Sequence, residues 1–262
     1  MSTNILFVFE GERAEKVIAE SLEKSVFKDE KIIKCAFAAD IYQLYATFVT
    51  DEYLDMFSYI KALNEQNAKV LEDYNRDDFS EIHLFFDYDG HATANKGKPG
   101  DEKIKEMLTY FDNETEQGKL YISYPMVEAI RHFKDHDSFR DLCVKCKGRN
   151  CPNQEDCKEV ATCLSEPHYK TRVGNECPKM SNIHQYNSEC WNALIKAHLF
   201  KMNYVVNDSY SLPEELVSQF VIFEKQIEKY IGQPCPKVAV LSAFPLFVFD
   251  YFGCKEIIRR LT

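Results

Sequence analysis

An apolar run, residues 84–86, ends abruptly in two aspartates one residue apart, Asp87 and Asp89, which Gly90 follows. An apolar run that stops at a glycine-containing turn predicts a buried strand. A second run, residues 5–9, ends similarly in Glu10 and Gly11. Open α/β sheets build their sites at the carboxyl ends of their strands. These three carboxylates therefore constrain the fold and the chemistry of the chain more than any other feature.

Acidic side chains at neighbouring strand ends repel one another and raise their own pKa values unless a cation lies between them. Hard oxygen ligands in small number favour Mg²⁺, or Mn²⁺ in its place. Glu10, Asp87 and Asp89 together therefore predict a divalent metal site. The alternative is that these acids cap helices or pair with lysine and arginine. Three residues that follow the aspartates, His91, Lys96 and Lys98, are predicted phosphate contacts, with a solvated connecting loop as the alternative.

Predicted strands and helices alternate along most of the chain. The apolar patterns predict strands at 5–9, 32–37, 81–86, 120–123 and 238–242, and helices at 12–25, 101–111, 127–133, 187–201 and after Pro213, with two more within 40–74. Such alternation predicts an α/β fold, a Rossmann-like and mostly parallel sheet flanked by helices. We expect a core over 1–138, an inserted segment over 139–186, and a helical segment with a closing strand over 187–262.

The inserted segment is rich in cysteine: seven of the ten cysteines lie between Cys143 and Cys190, and six of these seven lie within the segment. Four of them, Cys143, Cys146, Cys151 and Cys157, are spaced as in a tetrahedral Zn²⁺ site that folds a short segment. Three other side chains are alternative third and fourth ligands: Cys163, His168 and Cys177. An iron–sulfur cluster and unliganded thiols remain alternatives.

Charge and hydropathy restrict the location and the ligands of the chain. The formal net charge is −10, which opposes indiscriminate binding to nucleic acid. It does not exclude a local basic groove, and it favours a divalent metal ion or a partner's charge as the source of the missing positive charge. The sequence contains no apolar run long enough for a membrane helix and no signal-peptide pattern at its start, so we expect a cytoplasmic protein without membrane contact. Its cysteines are then expected to be reduced or metal-bound.

The segments that carry Glu10 and Asp87-Tyr88-Asp89 resemble the glutamate and DxD motifs of the Toprim family, and within it the RloB and AriB type of antiphage effector. The stretch 124–133, with Glu128, and the stretch 240–245 are similar to further parts of that group. The resemblance implies a Mg²⁺-dependent nuclease in which Glu10 is a metal ligand or general base. It implies that Asp87 and Asp89 bind the ion and that Glu128 is a ligand of a second one.

The same resemblance implies partners and a biological setting. The substrate would be RNA, including tRNA, or DNA, and the protein would be a homodimer and the toxic effector of an antiviral defence system. A separate ATPase would control it, since the phosphate-binding pattern G-x-x-x-x-G-K-[ST] is absent from the sequence.

Two other functions fit part of the pattern. Asp-x-Asp-Gly after a strand is also how haloacid-dehalogenase-type phosphatases begin, with the first aspartate as phosphoryl acceptor and the second as general acid. A phosphatase of this type would give Glu10 no role. A non-catalytic subunit that keeps the fold and binds an ATPase is the third alternative.

The zinc hypothesis predicts the metal content of the purified protein. A structural zinc site binds its ion tightly enough to survive purification, so we expect about one equivalent of Zn per chain by elemental analysis. Replacing Cys143 and Cys146 together by serine should remove it, whereas replacing Cys254, outside the cluster, should not. Less than about half an equivalent in the unaltered protein would contradict a structural zinc site.

Overall fold

The structure, a computed structural model, describes residues 4–28, 32–38, 40–51, 53–88, 100–145, 161 and 167–261. Its strands are β1 (Asn4–Phe9), β2 (Ile32–Phe37), β3 (Phe79–Asp87), β4 (Asp112–Asn113), β5 (Gly118–Ser123), β6 (Cys143–Lys145) and β7 (Lys237–Ala239). Its α-helices are α1 (Ala14–Ser25), α2 (Ile41–Thr50), α3 (Met56–Leu63), α4 (Glu65–Val70), α5 (Gly100–Tyr110), α6 (His136–Arg140), α7 (Tyr169–Glu176), α8 (Ser188–Asn207), α9 (Gln219–Gln226) and α10 (Ala243–Leu261). No helix within these ranges is long and apolar enough to cross a membrane.

Five strands form one sheet in the order β2-β1-β3-β5-β4, and β1 pairs in parallel with both of its neighbours. The two-residue strand β4 lies at the edge and pairs antiparallel with β5. The predicted fold class, a mostly parallel α/β sheet flanked by helices, is confirmed. Every residue of β1 from Ile5 to Phe9 is fully buried, as expected for an inner parallel strand covered on both faces.

The chain divides into two compact units. The first contains 1–86, 106–121 and 183–191, and aromatic rings of the sheet form part of its core: Phe7, Phe9, Phe85 and Tyr121 lie with neighbouring ring centroids 4.7–5.9 Å apart. The second contains 87–105, 122–182 and 192–262. Its core includes Phe139, Tyr169, Val173 and Val240. The predicted boundaries at 139 and 186 stay a prediction.

The segment 40–74 holds three helices, where the sequence predicts two. Each of α2, α3 and α4 begins at a residue whose side chain accepts hydrogen bonds from the first turn: Asp40, Asp55 and Asn64. Such caps satisfy the unpaired N–H groups of a helix start. Because Asn64 also ends α3 in an extended conformation, it separates α3 from α4, and the apolar spacing does not reveal that break.

Two other segments differ from their predicted form. The predicted strand 238–242 begins as β7, which pairs antiparallel with β6 in a separate two-stranded sheet and does not join the five-stranded one. Its continuation, Leu241, forms a single antiparallel bridge with Tyr124, the residue after β5. The predicted helix 127–133 is a 3₁₀-helix, Val127–Arg131. The following residue, His132, closes it by donating its N–H to the carbonyl of Ala129.

One buried amide completes the backbone hydrogen bonds at the end of β2. Asn67 has no exposed surface, and its side chain accepts the N–H of Phe37 at 2.9 Å and donates to the carbonyl of the same residue at 2.9 Å. It also donates to the carbonyl of Ile60 on α3. Buried backbone groups without a partner cost free energy, so these hydrogen bonds of Asn67 stabilise the fold. They also join α3 and α4 to the sheet.

Replacing Asn67 by leucine should destabilise the protein by about 2–4 kcal/mol, because the N–H of Phe37 and the carbonyl of Ile60 lose the partner that Asn67 provides inside the core, whereas the carbonyl of Phe37 keeps Asn64 as a donor. The exposed Asn192 on α8 provides a matched control, and Asn192→Leu should change stability by less than about 0.5 kcal/mol. Urea unfolding followed by circular dichroism measures both. Equal stabilities for the two variants would contradict the role assigned to Asn67.

Candidate functional site

The carboxyl ends of β1 and β3 carry the acids that the sequence analysis selects. Phe9 lies beside Phe85 in the parallel register, so both strands end at the same edge of the sheet. Glu10 follows β1 directly and is exposed, and Asp87 is the last residue of β3 and is half-buried. Strand geometry therefore provides the arrangement that a site at this edge needs, with each acid at the point where its strand leaves the core.

Several predicted site residues lie outside the part of the chain that the structure describes. They are Asp89, His91, Lys96 and Lys98 among the catalytic and phosphate-binding predictions, and Cys146, Cys151, Cys157 and Cys163 among the predicted zinc ligands. The roles predicted for these residues stay predictions.

A fourth acid, Glu15, lies close to the end of β1. It stands in the first turn of α1, is buried despite its charge, and has its carboxylate against Gly11. A Cβ atom on Gly11 would come within 2.7 Å of Oε1 of Glu15. Only glycine leaves room for this carboxylate beside the turn that carries Glu10. In the first turn of α1, Glu15 is also placed as a helix-capping acid, and its spacing of five residues from Glu10 is the sequence signal that favours a place in the site.

Glu128 is held by two cations within the second unit. Its side chain is buried, and Oε1 lies 3.3 Å from Nζ of Lys170 on α7 and 3.7 Å from Nη2 of Arg131 in its own turn. A buried carboxylate requires such partners. The structure thus gives Glu128 an ion-pairing role, and the predicted role as ligand of a second metal ion stays a prediction.

His132 lies four residues after Glu128 and connects the end of the 127–131 turn to α7. Its Nδ1 lies 3.0 Å from the hydroxyl of Tyr169, and its Nε2 lies 3.0 Å from the carboxylate of Glu176, which in turn accepts from Arg172 at 2.6 Å. Burial lowers the pKa of His132 although Glu176 opposes the shift. Burial likewise raises the pKa of Tyr169 well above its ordinary value. Both ring nitrogens of His132 thus have partners within this network.

Cys143 is the only predicted zinc ligand of the first set of four that falls within the described ranges. It begins β6, and burial raises the pKa of its thiol. Before it, the amino group of the buried Lys201 donates to the carbonyl oxygens of Phe139 and Leu142. This contact fixes the chain immediately before the cysteine-rich segment. A zinc ion would oppose the effect of burial on Cys143, since metal binding favours the thiolate.

The donor chemistry at the sheet edge fits a hard divalent cation. Within the described ranges, no group of three or more His, Cys, Asp or Glu side chains is arranged to hold a metal ion. Glu10 and Asp87 supply two carboxylates there, and the third predicted ligand, Asp89, lies outside those ranges. Carboxylate oxygens in small number, with positions left for water, are the donor set of Mg²⁺.

Comparisons of the chain with protein-family models, curated proteins and solved structures found no match. A Rossmann-like α/β fold accommodates many unrelated activities. The residues at the strand ends and their chemistry are therefore the basis for inferring a function.

The position of Glu15 predicts an effect of Gly11→Ala on metal binding. Gly11 does not have a positive φ, so alanine suits the backbone and its methyl group displaces only the carboxylate of Glu15. We expect Mn²⁺ binding, measured by electron paramagnetic resonance, to weaken about threefold or more, with less than about 1 kcal/mol lost in stability. Gly174→Ala on α7, where no atom lies within 4 Å of the new methyl group, should leave Mn²⁺ binding unchanged. Unaltered binding in both Gly11→Ala and Glu15→Gln would remove Glu15 from the site.

Proposed function

We propose that this chain is a Mg²⁺-dependent nuclease, with Mn²⁺ as an alternative ion, that hydrolyses phosphodiester bonds at the carboxyl edge of its parallel sheet. The observation that carries the proposal is the parallel pairing of β1 with β3, in which Phe9 lies beside Phe85. Glu10 and Asp87 continue from these strands. Phosphoryl transfer requires positioning and charge stabilisation more than covalent chemistry, and carboxylates at a rigid sheet edge supply positioning.

In this proposal Asp87 and Asp89 hold the ion, and Glu10 is a further ligand or accepts the proton of the attacking water. When bound, the ion supplies positive charge to the phosphoryl oxygens and orients the nucleophile. Glu15, buried against Gly11, adds a carboxylate at the same strand end. The phosphate backbone of the substrate is contacted by His91, Lys96 and Lys98. A chain of net charge −10 needs such local positive groups in order to bind a polyanion.

The narrower proposal concerns biology and follows the Toprim resemblance. The enzyme acts in the cytoplasm as the toxic effector of an antiviral defence system, cleaves RNA, including tRNA, or DNA, and works as a homodimer under the control of a separate ATPase. In the same proposal, Cys143, Cys146, Cys151 and Cys157 hold a structural Zn²⁺.

A phosphatase of the haloacid-dehalogenase type is the second candidate, because Asp87 ends the central strand of the five and could accept a phosphoryl group. Glu10 separates the two functions: the nuclease uses it, and the phosphatase does not. A non-catalytic subunit would need neither acid.

Single replacements Glu10→Gln, Asp87→Asn and Asp89→Asn should each lower Mg²⁺-dependent cleavage of labelled RNA or DNA about 100-fold or more, since each removes a charged group from the reaction site. Glu12→Gln changes the charge equally at an exposed position two residues from Glu10 and should retain activity. The assay uses purified protein with tRNA, single-stranded RNA and duplex DNA, and chelation of Mg²⁺ as a further control.

The remaining outcomes distinguish the alternatives. Full cleavage by Glu10→Gln would exclude the proposed mechanism. Hydrolysis of p-nitrophenyl phosphate that depends on Asp87 and not on Glu10 would establish the phosphatase. If the unaltered chain cleaves neither class of nucleic acid and expression of the Glu10→Gln variant is as toxic as that of the unaltered chain, the non-catalytic alternative gains support.

A further inference from the structure

Tyr88, the residue between the two aspartates, has three separate attachments. Its backbone N–H donates to the carbonyl of Ser123, the last residue of β5, at 2.8 Å. Its ring packs near those of Tyr124 and Phe223, with centroids 5.8 and 6.0 Å away. Its hydroxyl donates to Oδ1 of Asp101 at 2.9 Å. A residue in a simple exposed turn would not make these contacts. The position of Tyr88 is therefore determined by tertiary structure.

Asp101 is well suited to accept this hydrogen bond. It lies in the first turn of α5, where the helix dipole stabilises a negative charge. A hydroxyl that donates to a carboxylate forms a stronger hydrogen bond than one between neutral groups. One turn later, Lys105 pairs with Glu224 at 3.3 Å, next to Phe223 on α9. The helices α5 and α9 therefore meet around the ring of Tyr88.

The neighbouring Tyr124 does not form the hydrogen bond to Asp101 that Tyr88 forms. Its side chain is fully buried, and its hydroxyl has no hydrogen-bond partner within the described part of the chain. Burial, together with the charge of Asp101, raises its pKa. Two tyrosines thus lie near one carboxylate, and only Tyr88 donates to it.

We propose that Tyr88 and Asp101 are a positioning pair that fixes the carboxylate of Asp87 for metal binding, an inference that rests on the proposed function. Asp87 is held on one side by strand β3 and on the other by the three attachments of Tyr88. A ligand held in place before the ion arrives loses less conformational entropy on binding. A purely structural pair would affect stability and leave the metal affinity of the folded protein unchanged.

The test measures Mn²⁺ binding to folded protein by electron paramagnetic resonance, with Mg²⁺ as competitor, and compares it with thermal unfolding. Tyr88→Phe and Asp101→Ala should each weaken Mn²⁺ binding about tenfold, as expected when a residue that supports a ligand is lost. The double variant should bind no more weakly than either single variant, since both remove one interaction. Asp101→Asn keeps an oxygen acceptor and should bind nearly as well as the unaltered protein.

Tyr124→Phe is the matched control, because it removes a hydroxyl from an adjacent buried ring without removing a hydrogen bond. It should leave Mn²⁺ affinity unchanged. If Tyr88→Phe loses thermal stability but binds Mn²⁺ as tightly as Tyr124→Phe does, the positioning role is overturned. If either Tyr88→Phe or Asp101→Ala does not fold, the other variant and Asp101→Asn decide the question.

Asp87→Asn distinguishes failure of this inference from failure of the proposed function. Loss of Mn²⁺ binding in Asp87→Asn, without any change in Tyr88→Phe, would contradict the positioning pair and leave the metal site intact. Equal Mn²⁺ binding by Asp87→Asn and the unaltered protein would overturn both proposals.

Discussion

The parallel pairing of β1 with β3 is the constraint on which the candidate site depends. β1 is fully buried from Ile5 to Phe9 and has a parallel neighbour on each side. A charged residue inside such a strand would lose its hydration without a partner. An acid that follows β1 can therefore occur only where that strand leaves the core, and the parallel strand β3 ends at the same edge. The burial that stabilises β1 thus places Glu10 at the end of that strand, as Asp87 is at the end of β3.

The parts of the fold that could be predicted are those in which local pattern and tertiary environment agree. The predicted strands at 5–9 and 81–86, which contain the apolar runs 5–9 and 84–86, correspond to β1 and β3, and the periodic patterns at 12–25 and 101–111 correspond to α1 and α5. A strand buried on both faces must be apolar throughout, and a helix on a sheet must be apolar on one side. Both requirements are visible in the sequence.

The parts that could not be predicted depend on contacts between residues far apart in the chain. Whether the apolar segment at 238–242 joins the main sheet depends on its partner, and β7 pairs with β6, with Cys143 opposite Ala239. In the sequence, Asn67 cannot be told from any other polar residue of a helix. Its role depends on the contact with Phe37, which only the folded structure shows. A backbone group that needs a partner can obtain it from any nearby side chain, and spacing in the sequence does not show which one.

The acids illustrate the same distinction at the site. Glu10 and Asp87 follow apolar runs, so their positions could be inferred from those runs. Glu15 has the sequence context of any acid in the first turn of a helix, a position that the helix dipole favours. Its burial against Gly11 follows from the turn geometry, and the spacing alone does not separate a capping acid from an acid of the site.

Glu128 has two positively charged partners, Lys170 and Arg131. The side chain of Lys170 is 72% exposed and can move into solvent, whereas that of Arg131 is 18% exposed and held more firmly. A metal ion at Glu128 would therefore have to displace Lys170, and with it one of the links between α7 and the 127–131 turn. The other link, formed by the contacts of His132 with Tyr169 and Glu176, does not involve Glu128 and would remain.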